Sequence, residues 1–283
     1  MNQCEQCAPS QQYVDGSCIP TDLLSKMIHA YNTYAIEHKL KKIQLDRQIE
    51  LMHPNKYRQY MLHKMNKRLK NTCDNQMCWT KQEFIKYIDN EARKELSSNI
   101  FRPVGPQGSH KWLNTINIEK VIEQYEHIYQ DFKFMGALPM DFDDLPYLHI
   151  HDLNYANLQT RNINRIGFVF NTDEHYKSGT HWVSMFVDLN KFHIYYFDSY
   201  GIKPEKRVRL LMRRIYEYCK AKCNCTPDID YNYIKHQRGG SECGMYSIFF
   251  IIKMLEDDDY YKFIENVKSD DYIWSFRQVY FNA

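Results

Sequence analysis

A chain of 283 residues can bury a substantial core, as one large domain or as two. Its mean hydropathy of −0.65 and 15% aromatic content describe a soluble globular composition. The sequence has no apolar run of about eighteen residues, so no membrane-spanning helix is expected. The formal net charge is only +2, but it is unevenly spread.

Residues 1–20 carry turn formers without a helical period, and Met1-Asn2-Gln3-Cys4 lacks the basic-then-apolar pattern of a secretion signal. A cytosol-like compartment follows, and with it an expectation of free thiols rather than disulfides for the 9 cysteines. Two groups, Cys4, Cys7 and Cys18, and Cys219, Cys223 and Cys225, hint at zinc. Neither offers two well-spaced ligand pairs or nearby histidines at finger spacing.

From Thr21, Leu23, Leu24, Met27, Ile28, Tyr31 and Ile36 recur at helical steps. Further helices are expected over about 40–52, ending at His53-Pro54, and over about 56–70. Thr80 and Glu83 read as the ends of a capping box opening a helix through about residue 97. Between Lys39 and Lys70, basic residues far outnumber Asp46 and Glu50. The stretch reads first as a solvated helical face, and second as a surface for nucleic acid or an acidic partner.

Phe101-Arg102-Pro103-Val104-Gly105-Pro106-Gln107-Gly108 is a Pro/Gly hinge, dividing a helical arm (1–99) from a second domain (100–283). Beyond it, Asn117 is expected to cap a helix that turns Ile118, Val121, Ile122 and Tyr125 to one side. A loop through Pro139 and Pro146 follows, its Asp141, Asp143 and Asp144 reading as an exposed turn rather than a cation site. Residues 166–170, 182–188 and 192–197 read as strands, the last two joined by a turn at Asn190-Lys191. Pro204 opens a helix striped by Val208, Leu211, Met212, Ile215 and Tyr218, and residues 231–234 form a short strand. Helices complete the chain, giving an α+β arrangement of a small sheet flanked by helices.

The chemistry concentrates at Lys235-His236-Gln237-Arg238-Gly239-Gly240-Ser241-Glu242-Cys243-Gly244. Cys243 stands where a glycine-bearing loop becomes an apolar helix, and unpaired N–H groups at a helix start favour an anion. A thiol so placed ionises more readily, and the thiolate is the nucleophile. His181 precedes one strand and Asp198 follows the next, so a hairpin brings both to one end of the sheet. His181 then serves as proton acceptor and donor, and Asp198 as the group that orients its ring. Gln237 and the Cys243 N–H would hold a tetrahedral oxyanion, at roughly 3 kcal/mol per donor.

The order His181-Trp182, Asp198-Ser199, Gln237-x5-Cys243-Gly244 resembles the Ulp/adenain-like cysteine peptidases, and Trp112-Leu113-Asn114 resembles their Trp-Leu-Asn segment. Within that group, Gly105-Pro106, Asn117-Ile118, Val169 to Asp173, Phe186-Val187-Asp188, His236-Gln237-Arg238 and Tyr246-Ser247 are similar to the polyprotein-processing proteases of African swine fever virus and related large DNA viruses. The similarity covers about 100–283 and is weak over 1–99. One position departs from it: those proteases carry Asn where Asp198 follows the Ulp form.

The resemblance implies a small central mixed sheet flanked by helices, with catalytic His181, Asp198, Gln237 and Cys243. It places Trp112 and Trp182 along a narrow tunnel for Gly-Gly sequences. It further implies viral structural polyprotein precursors as substrates, no metal or organic cofactor, and action in host cytoplasm at the assembly site and in the virion. Removal of ubiquitin or SUMO-type proteins from host conjugates is the alternative.

Overall fold

The computed structural model describes residues 6–106, 110–223 and 225–282. Cys4 and the Gln107-Gly108 end of the hinge lie outside the described residues. The chain forms two compact units, one running to Pro103 and taking in Asn282, the other Val104–Phe281.

In the first unit, α1 (Thr21–Glu37) buries Leu23, Leu24, Met27, Ile28 and Tyr31, the stripe its sequence predicts. The expected helix over 40–52 is shorter, with α2 confined to Arg47–Met52 and capped by Asp46. The Asn32 side chain pairs with both the N–H and the C=O of Ile43, at 2.7 and 2.9 Å, removing those groups from any helical ladder. α3 (Pro54–Leu69) takes Pro54 in its first turn, where a missing N–H costs nothing. α4 covers Gln76–Trp79. The Thr80/Glu83 capping box does not form: the Thr80 hydroxyl donates to Met77 O, and Glu83–Tyr87 is a 3₁₀ turn. Instead Asp89 accepts from Ala92 N–H and starts α5 (Asn90–Ser98).

The free-thiol expectation fails at three pairs. Cys7–Cys18 and Cys73–Cys78 are disulfides in this unit, and Cys223–Cys225 is a third in the other. Their sulfurs are thereby unavailable to zinc. In the first unit, Cys7, Cys18 and Cys73 are part of a small helical core, which the cross-links staple where buried area alone is modest. Cys219 and Cys243 remain free thiols.

The second unit begins with α6 (Thr115–Glu123), whose cap is Asn114 rather than Asn117. Each of these two side chains accepts the other's backbone N–H, so Asn117 occupies the third helical position of a reciprocal box. A strand then appears where a loop was expected, β1 (Phe132–Leu138). Its alternation is broken by a register shift between Phe134 and Ala137, with Gly136 at φ +112°, which hides the period of two. α7 (Tyr155–Thr160) leads to β2 (Arg165–Asn171), β3 (Trp182–Asp188) and β4 (His193–Phe197). α8 (Lys206–Cys223) and β5 (Asp228–Tyr231) follow. β5 lies three residues before its expected start, because parallel pairing sets Ile229 beside Ile194 and Tyr231 beside Tyr196.

The five strands stand in the order β1-β2-β3-β4-β5, parallel at both outer pairs and antiparallel between β2, β3 and β4. This mixed sheet is covered on both faces. Val183, Met185, Val187, Ile194 and Tyr196 pack with Val208, Leu211, Met212 and Ile215 of α8. Trp182, Phe186, Tyr195 and Phe197 pack with α9 (Cys243–Leu255), whose residues are nearly all buried. α10 (Tyr260–Glu265), α11 (Asp270–Ser275) and α12 (Arg277–Tyr280) complete the α9 side. Every residue of β3 is buried, as a central strand between two helical layers requires. The architecture is α+β with a central mixed sheet, as expected.

Candidate active site

The β3–β4 hairpin places Ser184 opposite Phe197, so the residue ahead of β3 and the residue after β4 share one end of the sheet. There the His181 Nε2 lies 2.7 Å from Asp198 Oδ1. The Cys243 sulfur acts on the same imidazole, favouring its charged form. With Nε2 held by the carboxylate, Nδ1 is the ring nitrogen left for the sulfur. Cys243 is 2% exposed and is the first residue of α9, where backbone N–H groups lack helical acceptors.

Two opposed influences act on His181. Burial disfavours its charged form, but the hydrogen bonds and negative charges of Asp198 and Cys243 outweigh that, and the imidazole is pushed up to about 9. The carboxylate is itself fixed. Asp198 Oδ1 accepts from Tyr200 N–H at 2.8 Å, and Asp198 N–H donates to Asn232 Oδ1 at 2.7 Å. The Asn232 amide closes the clamp by donating to Asp198 O and Ile234 O.

Gln237 is wholly buried. Its Oε1 accepts from Ser199 Oγ at 2.7 Å, and its Nε2 donates to Gly239 O at 2.9 Å and to Tyr200 Oη at 3.3 Å. A carbonyl can only accept, so the Gly239 contact fixes which end of the amide is the donor. The carboxylate of Asp270 accepts from the N–H groups of Arg238 and Gly239, holding the loop ahead of Cys243. Its neighbour His236 is buried and neutral, its charged form disfavoured by burial, with Nε2–H donating to Ile264 O.

A buried ion pair anchors the helix start. The Arg277 guanidinium makes paired bonds to the Glu242 carboxylate at 3.0 to 3.1 Å, and donates to Pro106 O and Lys111 O. Gly244 lets α9 lie against its neighbours: an added Cβ would meet Leu113 Cβ at 3.1 Å and Trp182 Cδ1 at 3.3 Å. Trp182 is only 5% exposed and donates from Nε1 to Leu113 O, whereas Trp112 is 46% exposed. Both line a groove of about 440 Å³ with Leu113, Tyr147, Asp173 and Gly179.

His181, Asp198 and Cys243 are thus brought together, Gln237 beside them through Tyr200, and the two tryptophans along one groove. The acidic turn is already partnered, Asp141 by hydrogen bonds from His175, Asp143 by an ion pair with Arg214 and Asp144 by one with Arg207. Among the described residues no group of three or more His, Cys, Asp or Glu is arranged for a metal ion. Sequence reasoning missed Tyr200, Asn232, Asp270 and Arg277. Tyr200 alone had a local signal, being two residues from Asp198. The others arrive from 34 to 35 residues away from their partners or across the loop, with no motif to mark them.

Residues 163–276 match the family described as the Ulp1 protease family, C-terminal catalytic domain. A thiol protease of Acanthamoeba polyphaga mimivirus is 34% identical over 97% of this chain and 92% of its own length. A SUMO-1 cysteine protease of African swine fever virus is 28% identical over 72% of this chain and 81% of its own. The crystal structure of an African swine fever virus protease superposes with a TM-score of 0.61 at 24% identity, covering 84% of this chain and 91% of that one.

Proposed function

We propose, for a chain that belongs to the Ulp1 family of cysteine proteases, that it is a viral endopeptidase cutting structural polyprotein precursors at Gly-Gly-X sequences. The observation that carries this reading is one imidazole bonded to the Asp198 carboxylate and electrostatically coupled to the Cys243 sulfur at a helix start.

In the reaction, His181 Nδ1 takes the thiol proton and Cys243 Sγ attacks the scissile carbonyl carbon. The oxygen becomes an oxyanion facing the Cys243 N–H and the Gln237 amide. As the tetrahedral intermediate collapses, the imidazolium passes its proton to the leaving amine, which departs with the C–N bond broken. Water, deprotonated by His181, then attacks the thioester carbon. The C–S bond breaks, the acyl portion leaves as a carboxylic acid, and the imidazolium returns its proton to the Cys243 sulfur. Asp198 keeps the ring oriented and its cation paired throughout. Residues lacking side-chain bulk suit a narrow approach between Trp112 and Trp182.

Incubation with candidate capsid precursors and with Gly-Gly-X peptides, followed by mass spectrometry of the products, tests the reading. Cleavage after Gly-Gly that disappears in Cys243→Ala is expected, and undiminished cleavage by that variant would refute it. The name of the African swine fever virus relative, a SUMO-1 cysteine protease, favours a second reading, a SUMO-type isopeptidase. Turnover of ubiquitin-like amide probes, with none of Gly-Gly-X peptides or precursors, would select it.

The first unit is assigned recruitment of substrate or of an acidic partner, nucleic acid included, through residues 39–70. Arg58 and Arg68 donate to carbonyls in their own unit, so the exposed Lys39, Lys41, Lys42, Lys56, Lys67 and Lys70 carry the surface. Deleting residues 1–99 should then weaken cleavage of large precursors more than that of short peptides. The site of action is assigned to assembly sites in host cytoplasm and to the virion, tested by locating the protein and its products in purified particles.

A further inference from the structure

The catalytic reading leaves one aromatic side chain unexplained. The Tyr200 ring is stacked on the His181 imidazole, centroids 4.7 Å apart and planes 23° from parallel. Its hydroxyl donates to Gly239 O at 2.9 Å and accepts from Gln237 Nε2 at 3.3 Å. Its backbone N–H donates to Asp198 Oδ1. One residue therefore touches the proton carrier, the carboxylate that orients it and the amide assigned to the oxyanion.

We propose that Tyr200 is a positioning residue that ties the His181 imidazolium to the Gln237 oxyanion donor, its ring supporting the cation and its hydroxyl holding the loop carbonyl and the amide in place. This rests on the peptidase reading above. The geometry gives each part of the side chain a separate job. An aromatic face presented to a cation stabilises it through the ring quadrupole, and more strongly where water is excluded. The hydroxyl and the Gln237 amide both donate to Gly239 O, fixing the turn that leads to Cys243. Both amide hydrogens of Gln237 already have acceptors, and the contact to Tyr200 is the longer of the two. That is the hydrogen a developing oxyanion would claim, and Tyr200 Oη holds it in readiness without a strong bond to break.

The surroundings keep this arrangement in force across the working range. Asp198 and Cys243 face the imidazole, while the Lys235 ammonium lies 5.1 Å from the Tyr200 ring centroid. Burial, with the negative charges of Cys243, Asp270 and Asp198, raises the Tyr200 phenol above its ordinary value, so it stays a donor.

Two variants separate the two jobs. Tyr200→Phe keeps the ring and removes the hydroxyl, and Tyr200→Leu removes both while remaining apolar. The titration of His181 is followed by NMR in the full-length protein, and kcat and KM on a Gly-Gly-X peptide are measured alongside. Tyr200→Phe should titrate as the unmodified protein does, yet lose about tenfold in kcat with KM unchanged. Tyr200→Leu should lose at least as much kcat, and its His181 should titrate about half a unit to one unit lower. An unshifted His181 in Tyr200→Leu, or full kcat in Tyr200→Phe, would overturn the proposal. If Tyr200→Leu does not fold, the hydroxyl arm still decides through Tyr200→Phe. If the unmodified protein cleaves no peptide at all, the function reading falls instead, while the NMR titration, which needs no substrate, still tests the ring.

Discussion

Replacing Asp198 with asparagine probes the electrostatics of the site with almost no change of shape. The carboxamide oxygen of the variant can still accept from His181 Nε2–H and Tyr200 N–H, so both contacts survive and only the charge is lost. Burial is the largest influence on the imidazole, and it favours the neutral ring. With the carboxylate gone, His181 should fall from about 9 to its ordinary 6.5 or below. That is a change of roughly 3 kcal/mol at about 1.4 kcal/mol per pH unit. The basic limb of kcat/KM should move down by the same interval. At pH 8 the protonated fraction drops from about nine-tenths to about three-hundredths, a loss of about 30-fold. At pH 6 about three-quarters of the ring stays protonated, and the loss should be only about 1.3-fold.

Stability is linked with the same sign. A raised folded-state value means the native protein binds this proton more tightly than the unfolded chain. The contribution is fully present below pH 6.5 and is lost as pH rises through about 9, a dependence Asp198→Asn should abolish. The assays are kcat/KM against pH on a Gly-Gly-X peptide and urea unfolding at several pH values. A variant whose basic limb stays near pH 9 would show that the carboxylate is not what sustains the imidazolium.

Arg277→Met leaves the Glu242 carboxylate buried without its partner, and urea unfolding should show about 3–5 kcal/mol of destabilisation. The double variant Arg277→Met/Glu242→Gln should recover part of it, and failure to do so would assign the loss to packing. Gly244→Ala pushes a methyl against Leu113 and Trp182, and should cost about 1–3 kcal/mol together with a fall in peptide cleavage. Wild-type stability and turnover in that variant would refute the close approach. Serine at both Cys7 and Cys18 should lower the resistance of the first unit to proteolysis, by about 2–3 kcal/mol of opening free energy, while short-peptide cleavage continues. Unchanged proteolysis would mean the cross-link contributes nothing.

Much of the second unit was legible because its elements are regular. Trp182–Asp188 and the turn after it are visible as apolar run and breaker, and α9 as an unbroken apolar helix behind a glycine-bearing loop. The irregular elements were hidden, since the bulge at Gly136 disguised β1, and Asn32 drew Ile43 out of the helix its neighbours suggested. Local patterns also cannot choose between rival caps, as Asn114 and Asp89 demonstrate against Asn117 and Thr80. The cysteines were misread for a related reason: Cys7 and Cys18 become a pair through the folding of the first unit, not through a spacing that names partners.

The sequence alone placed Cys243 at a helix start and His181 and Asp198 at strand ends, because these positions are consequences of local order along the chain. It could not determine what holds them. Asn232 reaches Asp198, Asp270 reaches the Arg238-Gly239 loop and Arg277 reaches Glu242 only after the helices have docked on the sheet. Hydrogen bonds and ion pairs between residues 30 or more positions apart are properties of packing, so tertiary structure alone decides the scaffold around the chemistry.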